Sequence, residues 1–150
     1  MIPVQHIHPL VVHFPIVLVT LLAAADTFGL FRGAALTNRS CFGNASTILA
    51  VAAAVSAVLA FTFGDMALEF AEAKGFHSPV AEIHEGLGEA VAIILVIWGA
   101  IRAFLWARDI ETRGFIRTLV PVMEICAVAI VVVTAYYGGQ LVYDLGVNVS

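Results

Sequence analysis

Residues 9–31 read PLVVHFPIVLVTLLAAADTFGLF, and Asp26 is the only acidic or basic residue, histidine aside, in this run. A helix needs about 20 mostly apolar residues to cross the hydrocarbon core of a bilayer. The run is long enough, and it lacks the alternation of apolar and polar residues that marks a half-buried strand. It therefore predicts a membrane-spanning helix.

Three further apolar segments, at residues 45–70, 79–108 and 115–143, satisfy the same length requirement. Of the 150 residues 61% are hydrophobic and 12% are charged, against about a quarter charged in soluble globular proteins. Because the connections are short, consecutive spans should be antiparallel. We predict one all-α domain over residues 1–150, an integral membrane four-helix bundle of up-down-up-down topology. The net charge of −4 gives no basic surface for nucleic acid, so membrane lipid is the expected environment.

The basic residues predict the orientation of the bundle. Connections with more Lys and Arg face the cytoplasm. On the opposite side, Lys74 is the single basic residue besides histidine. We expect a multi-pass protein of a bacterial inner membrane with both termini in the periplasm. Five arginines lie in or beside the first and third connections: Arg32, Arg39, Arg108, Arg113 and Arg117.

All the histidines fall at the predicted periplasmic end. Imidazole is the commonest metal ligand in proteins. His13 follows Pro9 by four residues and His84 follows Pro79 by five, so each lies roughly 6–8 Å into its helix. Spans one and three are diagonal in such a bundle, and facing imidazoles suit six-coordinate haem b. We expect His13 and His84 to be axial ligands, and the alternative for each is a core histidine bonded to a carboxylate. The complete set is His6, His8, His13, His77 and His84.

Glycines near the same end offer room for a porphyrin. Gly86 follows His84 closely, and Gly138 and Gly139 end the fourth span. The same glycines also fit an alternative role, since small residues let membrane helices approach closely. His8 has three possible roles: a ligand, a partner of a haem propionate, or the cap of the first helix. His6 and His77 are expected in the interfacial water.

Carboxylates beside the histidines keep a second metal hypothesis open. Asp65 and Glu85, together with His13 and His84, offer oxygen and nitrogen ligands to zinc or copper. Alternatively, Asp65 and Glu85 lie in the second shell and fix the tautomer of a histidine.

Asp26, Arg102 and Glu124 lie well inside spans one, three and four, at a similar depth from the arginine side. A lone charge within a membrane costs about 2.5–3.5 kcal/mol on insertion scales, so such residues usually pair. An interhelical ion pair is one interpretation, and part of a proton route toward the histidines is the other.

Two end motifs, HPLVVHFP at residues 8–15 and GGQLVYDLG at 138–146, resemble those of the domain of unknown function family 2231. An Asp at position 26, the pair GD at residues 64 and 65, and His84 at the start of span three add to the likeness, which covers essentially the whole chain. The resemblance implies a small four-helix bacterial membrane protein with His8, His13 and His84 as site residues. Some members are joined to Rieske or c-type cytochrome domains, which implies a redox setting.

The leading functional prediction is a membrane cytochrome b, or a cytochrome-like subunit, that carries out electron transport at the periplasmic face with bis-His haem b between spans one and three. Its partners would be other subunits of a membrane redox complex or a periplasmic cytochrome. An electron-transfer or complex subunit is favoured over an enzyme. Two alternatives stay open: a non-haem metal-binding membrane protein that uses copper or zinc, and a purely structural subunit of a larger membrane complex.

Overall fold

The computed structural model describes residues 6–147, which contain helices and no strand. Four helical segments are long and apolar enough to cross a membrane. The predicted all-α, four-span architecture is confirmed, although residues 1–5 and 148–150 of the predicted domain lie outside the described part. The helices are α1 (Ile7–Val11), α2 (His13–Arg32), α3 (Cys41–Glu72), α4 (Pro79–Ala107) and α5 (Gly114–Tyr143).

The first span is α1 followed directly by α2, with an interruption at Val12. Pro15 has no N–H group to donate to the carbonyl of Val11, and such a missing bond bends or breaks a helix. His8 lies within α1, and His6 precedes that helix without a side-chain capping bond. The capping role considered for His8 is therefore wrong, because the helix already begins at Ile7.

The second span begins at Cys41, earlier than the predicted residue 45. Ser40 is the cause, since its hydroxyl accepts a hydrogen bond from the backbone N–H of Gly43 at 3.0 Å and so satisfies one of the free N–H groups of the first turn. At the start of α4, Ser78 accepts from the N–H of Val80 in the same way, and Pro79 occupies the first helical turn.

The long helices form a ring in which α2 and α4 each contact both α3 and α5. The pairs α2/α4 and α3/α5 are therefore diagonal, as predicted for spans one and three. We call the end that holds His8 and His84 the histidine end, and the end that holds the connections 33–40 and 108–113 the arginine end. The described chain starts and finishes at the histidine end.

The interior is built from small side chains, and large aliphatic ones face outward. Such an inverted pattern suits a bundle in lipid, because small residues let the helix backbones approach while aliphatic side chains contact the acyl chains. Helix α3 contributes most of the small residues. Its buried alanines are Ala50, Ala53, Ala54, Ala57, Ala60, Ala67 and Ala71.

The bundle consists of two equivalent helical hairpins. Hairpin A comprises α1, α2 and α3, and hairpin B comprises α4 and α5. Three of the six buried positions of α2 are buried again 76 residues later in α4, and five of the ten buried positions of α3 are buried again 74 residues later in α5. Exchanging the hairpins also maps the helix contacts onto one another, so an approximate two-fold axis runs along the bundle. Buried equivalents are Val19 and Leu95, Ala23 and Gly99, Asp26 and Arg102, Ala50 and Glu124, Ala53 and Ala127, and Ala57 and Val131.

Two glycines of α4 test this packing. A Cβ atom at Gly99 would lie 2.9 Å from the Cβ of Ala54 and 3.3 Å from the carbonyl oxygen of Ala50, whereas one at Gly86 would meet nothing within 4 Å. We expect Gly99→Ala to lower the free energy of unfolding by about 1–3 kcal/mol, the usual cost of overpacking. Gly86→Ala, the matched control, should leave it unchanged or raise it, since alanine favours helix. Denaturant unfolding in detergent measures both, and equal stabilities would contradict the described α3–α4 contact.

Candidate functional site

His8 and His84 lie beside each other at the histidine end. Their ring centroids are 6.1 Å apart, and the ring planes are at 82°. Both rings are half-buried. The structure thus gives His84 a partner from the first span, and that partner is His8 rather than His13.

The side chain of His13 is exposed and points away from the bundle interior. The helical phase explains this placement. His13 precedes the buried Asp26 by thirteen residues, about three and a half turns, so the two residues face opposite sides of the helix. His13 also lies five residues deeper in the span than His8, the residue that meets His84, so neither its level nor its direction brings it to His84.

Each imidazole of the pair is held by a backbone carbonyl of the neighbouring helix. The Nδ1 atom of His8 is 2.9 Å from the carbonyl oxygen of Ala60, and the Nδ1 atom of His84 is 3.0 Å from that of Thr134. A carbonyl oxygen only accepts, so Nδ1 must carry the proton and donate it. In the neutral ring the lone pair then resides on Nε2, the atom left free to bind a metal.

A glycine makes room for each ring. A Cβ atom at Gly64 would lie 2.9 Å from both Cε1 and Nδ1 of His8, and one at Gly138 would lie 2.9 Å from Cε1 of His84. Gly64 follows Ala60 by four residues, and Gly138 follows Thr134 by four. Both hairpins therefore place a glycine one turn beyond the carbonyl that accepts the hydrogen bond. We call these two residues, Gly64 and Gly138, the glycine seats. Gly138 therefore makes room for the imidazole of His84, whereas from the sequence it was expected to make room for a porphyrin.

The remaining predicted residues lie away from the imidazole pair. Gly86 is exposed with open space around it, and a Cβ atom at Gly139 would contact Tyr143 alone. Glu85 is exposed and Asp65 is half-buried. The Nδ1 partners of the histidines are carbonyls, so these carboxylates do not take the expected tautomer-fixing place. His6 and His77 are exposed, as expected. Between residues 6 and 147, no three His, Cys, Asp or Glu side chains group closely enough for a metal ion.

The two imidazoles offer two Nε2 atoms, which is the donor set that six-coordinate haem iron takes from a protein. Their ring centroids are 6.1 Å apart, and two imidazoles on one metal with bonds of about 2.0–2.1 Å would have centroids roughly 6 Å apart. One turn deeper than His84 on the same face is Gly88, where an added Cβ atom would have only Phe61 near it, at 3.9 Å.

A second polar group is buried near the arginine end. Asp26 and Arg102 are 0% exposed and Glu124 is 1% exposed. The Nη1 atom of Arg102 lies 2.5 Å from Oδ2 of Asp26 and 2.7 Å from Oε1 of Glu124. The structure therefore brings together the three charged residues that the sequence placed in one layer.

Arg102 also uses its other terminal nitrogen. Nη2 donates to the hydroxyl of Ser46 at 2.7 Å and to the carbonyl of Leu36 at 2.8 Å. The indole N–H of Trp98 donates to Oε1 of Glu124 at 3.1 Å. We call Asp26, Ser46, Arg102 and Glu124 the buried charge cluster. Ser46, Leu36 and Trp98 were not anticipated from the sequence.

One sequence signal links both groups. His8 precedes Asp26 by eighteen residues, and His84 precedes Arg102 by eighteen residues. Eighteen residues are about five turns of α-helix, so the histidine and the charge share one face. This shared spacing is the sequence signal that distinguishes His8 from His13.

The glycine seats give a direct test of the site geometry. Gly138→Ala should push the His84 ring off the carbonyl of Thr134, because the new methyl group would overlap Cε1. Gly139→Ala is the matched control, since its methyl group would meet Tyr143 alone at 4.0 Å. Nitrogen-15 spectra of labelled histidine should show Nδ1-protonated rings for His8 and His84, and only Gly138→Ala should change the His84 signal. An Nε2-protonated tautomer for both rings would contradict the described bonds.

One of three comparisons with known proteins gives a match, and it is to a family of membrane proteins. The profile of a family described as predicted membrane protein (DUF2231) matches residues 5–150. No curated protein and no solved structure matches the chain. Because the profile covers nearly the whole sequence, the chain belongs to the DUF2231 family of predicted membrane proteins.

Proposed function

We propose that the protein is a b-type cytochrome subunit of a membrane electron-transfer system, with Nε2 of His8 and Nε2 of His84 as the axial ligands of one haem b. The observation that carries the proposal is the pair of imidazoles on diagonal spans, each with its Nδ1–H donated to a backbone carbonyl. Backbone carbonyls are common partners of metal-ligating histidines, where they fix the tautomer and raise the basicity of the ligand nitrogen.

The number of ligands favours haem over a bare metal ion. A six-coordinate haem takes two axial ligands from the protein, whereas structural zinc takes four protein ligands and catalytic zinc takes three. The structure brings two imidazoles together. A haem in this place would supply a reversible one-electron iron couple. The protein side chains would then have to hold the ligands and exclude water.

The chain's own residues are suited to that task. Ala60 and Thr134, which supply the accepting carbonyls, lie within long helices, α3 and α5, so the acceptors are rigidly placed. Gly64 and Gly138 let the rings lie against those helices. Below the pair, the core consists of Val19, Leu95, Ala53, Ala57, Ala127 and Val131, all apolar. Electrons would therefore enter and leave at the histidine end.

The arginine distribution supports an orientation for this chemistry. With the arginine end in the cytoplasm, the haem would lie near the periplasmic face of a bacterial inner membrane. The electron partner would be another subunit of a membrane redox complex or a periplasmic cytochrome. The buried charge cluster lies about 27 Å away, at 1.5 Å per residue over eighteen residues. Because the layer between is apolar, a proton route between the two groups is not part of the proposal.

The absorption spectrum of the purified protein tests the proposal. After expression with ample haem, we expect a Soret band and the split visible bands of a reduced b-type haem. His8→Ala and His84→Ala should each abolish six-coordinate haem, because each removes one axial ligand. His13→Ala is the matched control, since that side chain is exposed and away from the pair, and it should retain the spectrum of the unaltered protein.

Two outcomes would overturn the proposal. A Soret band that survives the combined His8→Ala and His84→Ala change would place any haem elsewhere. Stoichiometric copper or zinc by elemental analysis, with no haem present, would favour the non-haem metal protein instead.

A further inference from the structure

The buried charge cluster has an unbalanced formal charge. It contains one guanidinium, that of Arg102, and two carboxyl groups, those of Asp26 and Glu124, all at most 1% exposed. If both carboxyl groups were ionised, a net negative charge would lie within the membrane-spanning part of the bundle. An uncompensated charge in such a place is strongly unfavourable.

The hydrogen-bond inventory distinguishes the two carboxyl groups. Asp26 accepts through both oxygens, from the hydroxyl of Ser46 at Oδ1 and from Arg102 at Oδ2. Glu124 accepts two bonds at Oε1, from Arg102 and from Trp98. Its second oxygen, Oε2, is buried and accepts no bond from a donor. Asp26 thus has the pattern of a carboxylate, and Glu124 has that of a carboxylic acid whose carbonyl oxygen is Oε1.

The two carboxyl groups also share one atom of Arg102, because Nη1 lies 2.5 Å from Oδ2 of Asp26 and 2.7 Å from Oε1 of Glu124. Two ionised carboxylates so close to each other repel, and a proton on one of them removes that repulsion and allows it to donate a hydrogen bond. We propose that Glu124 retains a proton at neutral pH and donates it to Asp26, so that the buried charge cluster is a proton-binding site and is electrically neutral.

The surroundings of Glu124 are consistent with one proton. From α4 it contacts Arg102 and Trp98, and Asp26 of α2 binds the same nitrogen of Arg102 as it does. Ser46 of α3 contributes a hydroxyl to Asp26 and Arg102. Arg117, on α5, bonds to carbonyls of residues 29, 30 and 34 near the end of α2. Its charge is thus engaged with a helix C-terminus.

Infrared spectroscopy of the protein in lipid tests this proposal independently of any cofactor. We expect one absorption band of a protonated carboxylic acid at neutral pH, shifted when the glutamate side-chain carboxyl groups carry carbon-13. Glu124→Gln should remove the band and preserve folding, because glutamine has the shape of the neutral acid. Glu69→Gln, at an exposed position of α3, is the control and should leave the band unchanged.

The variant Asp26→Asn tests whether Glu124 keeps its proton because of the charge balance of the cluster or because of burial alone. In this variant Glu124 becomes the sole acidic counterion of Arg102 in the cluster, so it should release its proton, and the band should disappear although Glu124 is present. Denaturant unfolding checks that each variant is folded. If Asp26→Asn does not fold, the original protein and Glu124→Gln still decide whether the proton is on Glu124.

Several results would overturn the proposal. These are absence of the band in the original protein, its persistence in Glu124→Gln, or its persistence in folded Asp26→Asn. A band that appears only when sodium is replaced by choline would also overturn it, because a metal cation rather than a proton would then neutralise the cluster.

Discussion

Arg102 holds the arginine end of the bundle together. Its guanidinium bonds to Asp26 on α2, Ser46 on α3, Glu124 on α5 and the carbonyl of Leu36 in the first connection. Bonds from one buried side chain to every other long helix fix both the rotation and the depth of those helices. Removing one partner from a buried ionic group costs roughly 3–5 kcal/mol, so alternative helix registers are disfavoured.

The helix register set by Arg102 at the arginine end also affects which residues meet at the histidine end. His84 lies about five turns before Arg102 on the same face of α4, and His8 lies about five turns before Asp26. Once Arg102 and Asp26 meet, this spacing favours a position of the two imidazoles beside each other, and their ring centroids are 6.1 Å apart. Residues that are equivalent in the two hairpins therefore meet at the approximate two-fold axis twice: as an oppositely charged pair at one end and as identical histidines at the other. This equivalence gives both imidazoles the same carbonyl and glycine environment, which suits two axial ligands of one metal.

Much of this architecture can be predicted from the sequence, because the length of each apolar segment and the residues of each turn determine the structure of their own part of the chain. The four spans and the diagonal relation of spans one and three needed no tertiary information. The sequence predicted that His13 would face His84, whereas the structure places His8 beside His84. This difference has a physical reason. Helical phase places His13 on the exposed side of α2, and the interruption at Val12 separates His8 from the continuous apolar run in which a ligand was sought. The role of the glycine seats could not be predicted, because it depends on which helix each imidazole packs against and no single segment of the sequence contains that information.

Under the proposed function, His8 and His84 bind one haem together through their Nε2 atoms. Electron paramagnetic resonance of the oxidised, haem-replete protein with nitrogen-15 histidine is the sharpest test of this shared ligation. We expect low-spin ferric iron coupled to two histidine nitrogens. We also expect strong g anisotropy, because ring planes at 82° would leave the iron orbitals nearly degenerate. High-spin iron, or coupling to a single histidine nitrogen, would show that the two histidines do not bind the iron together.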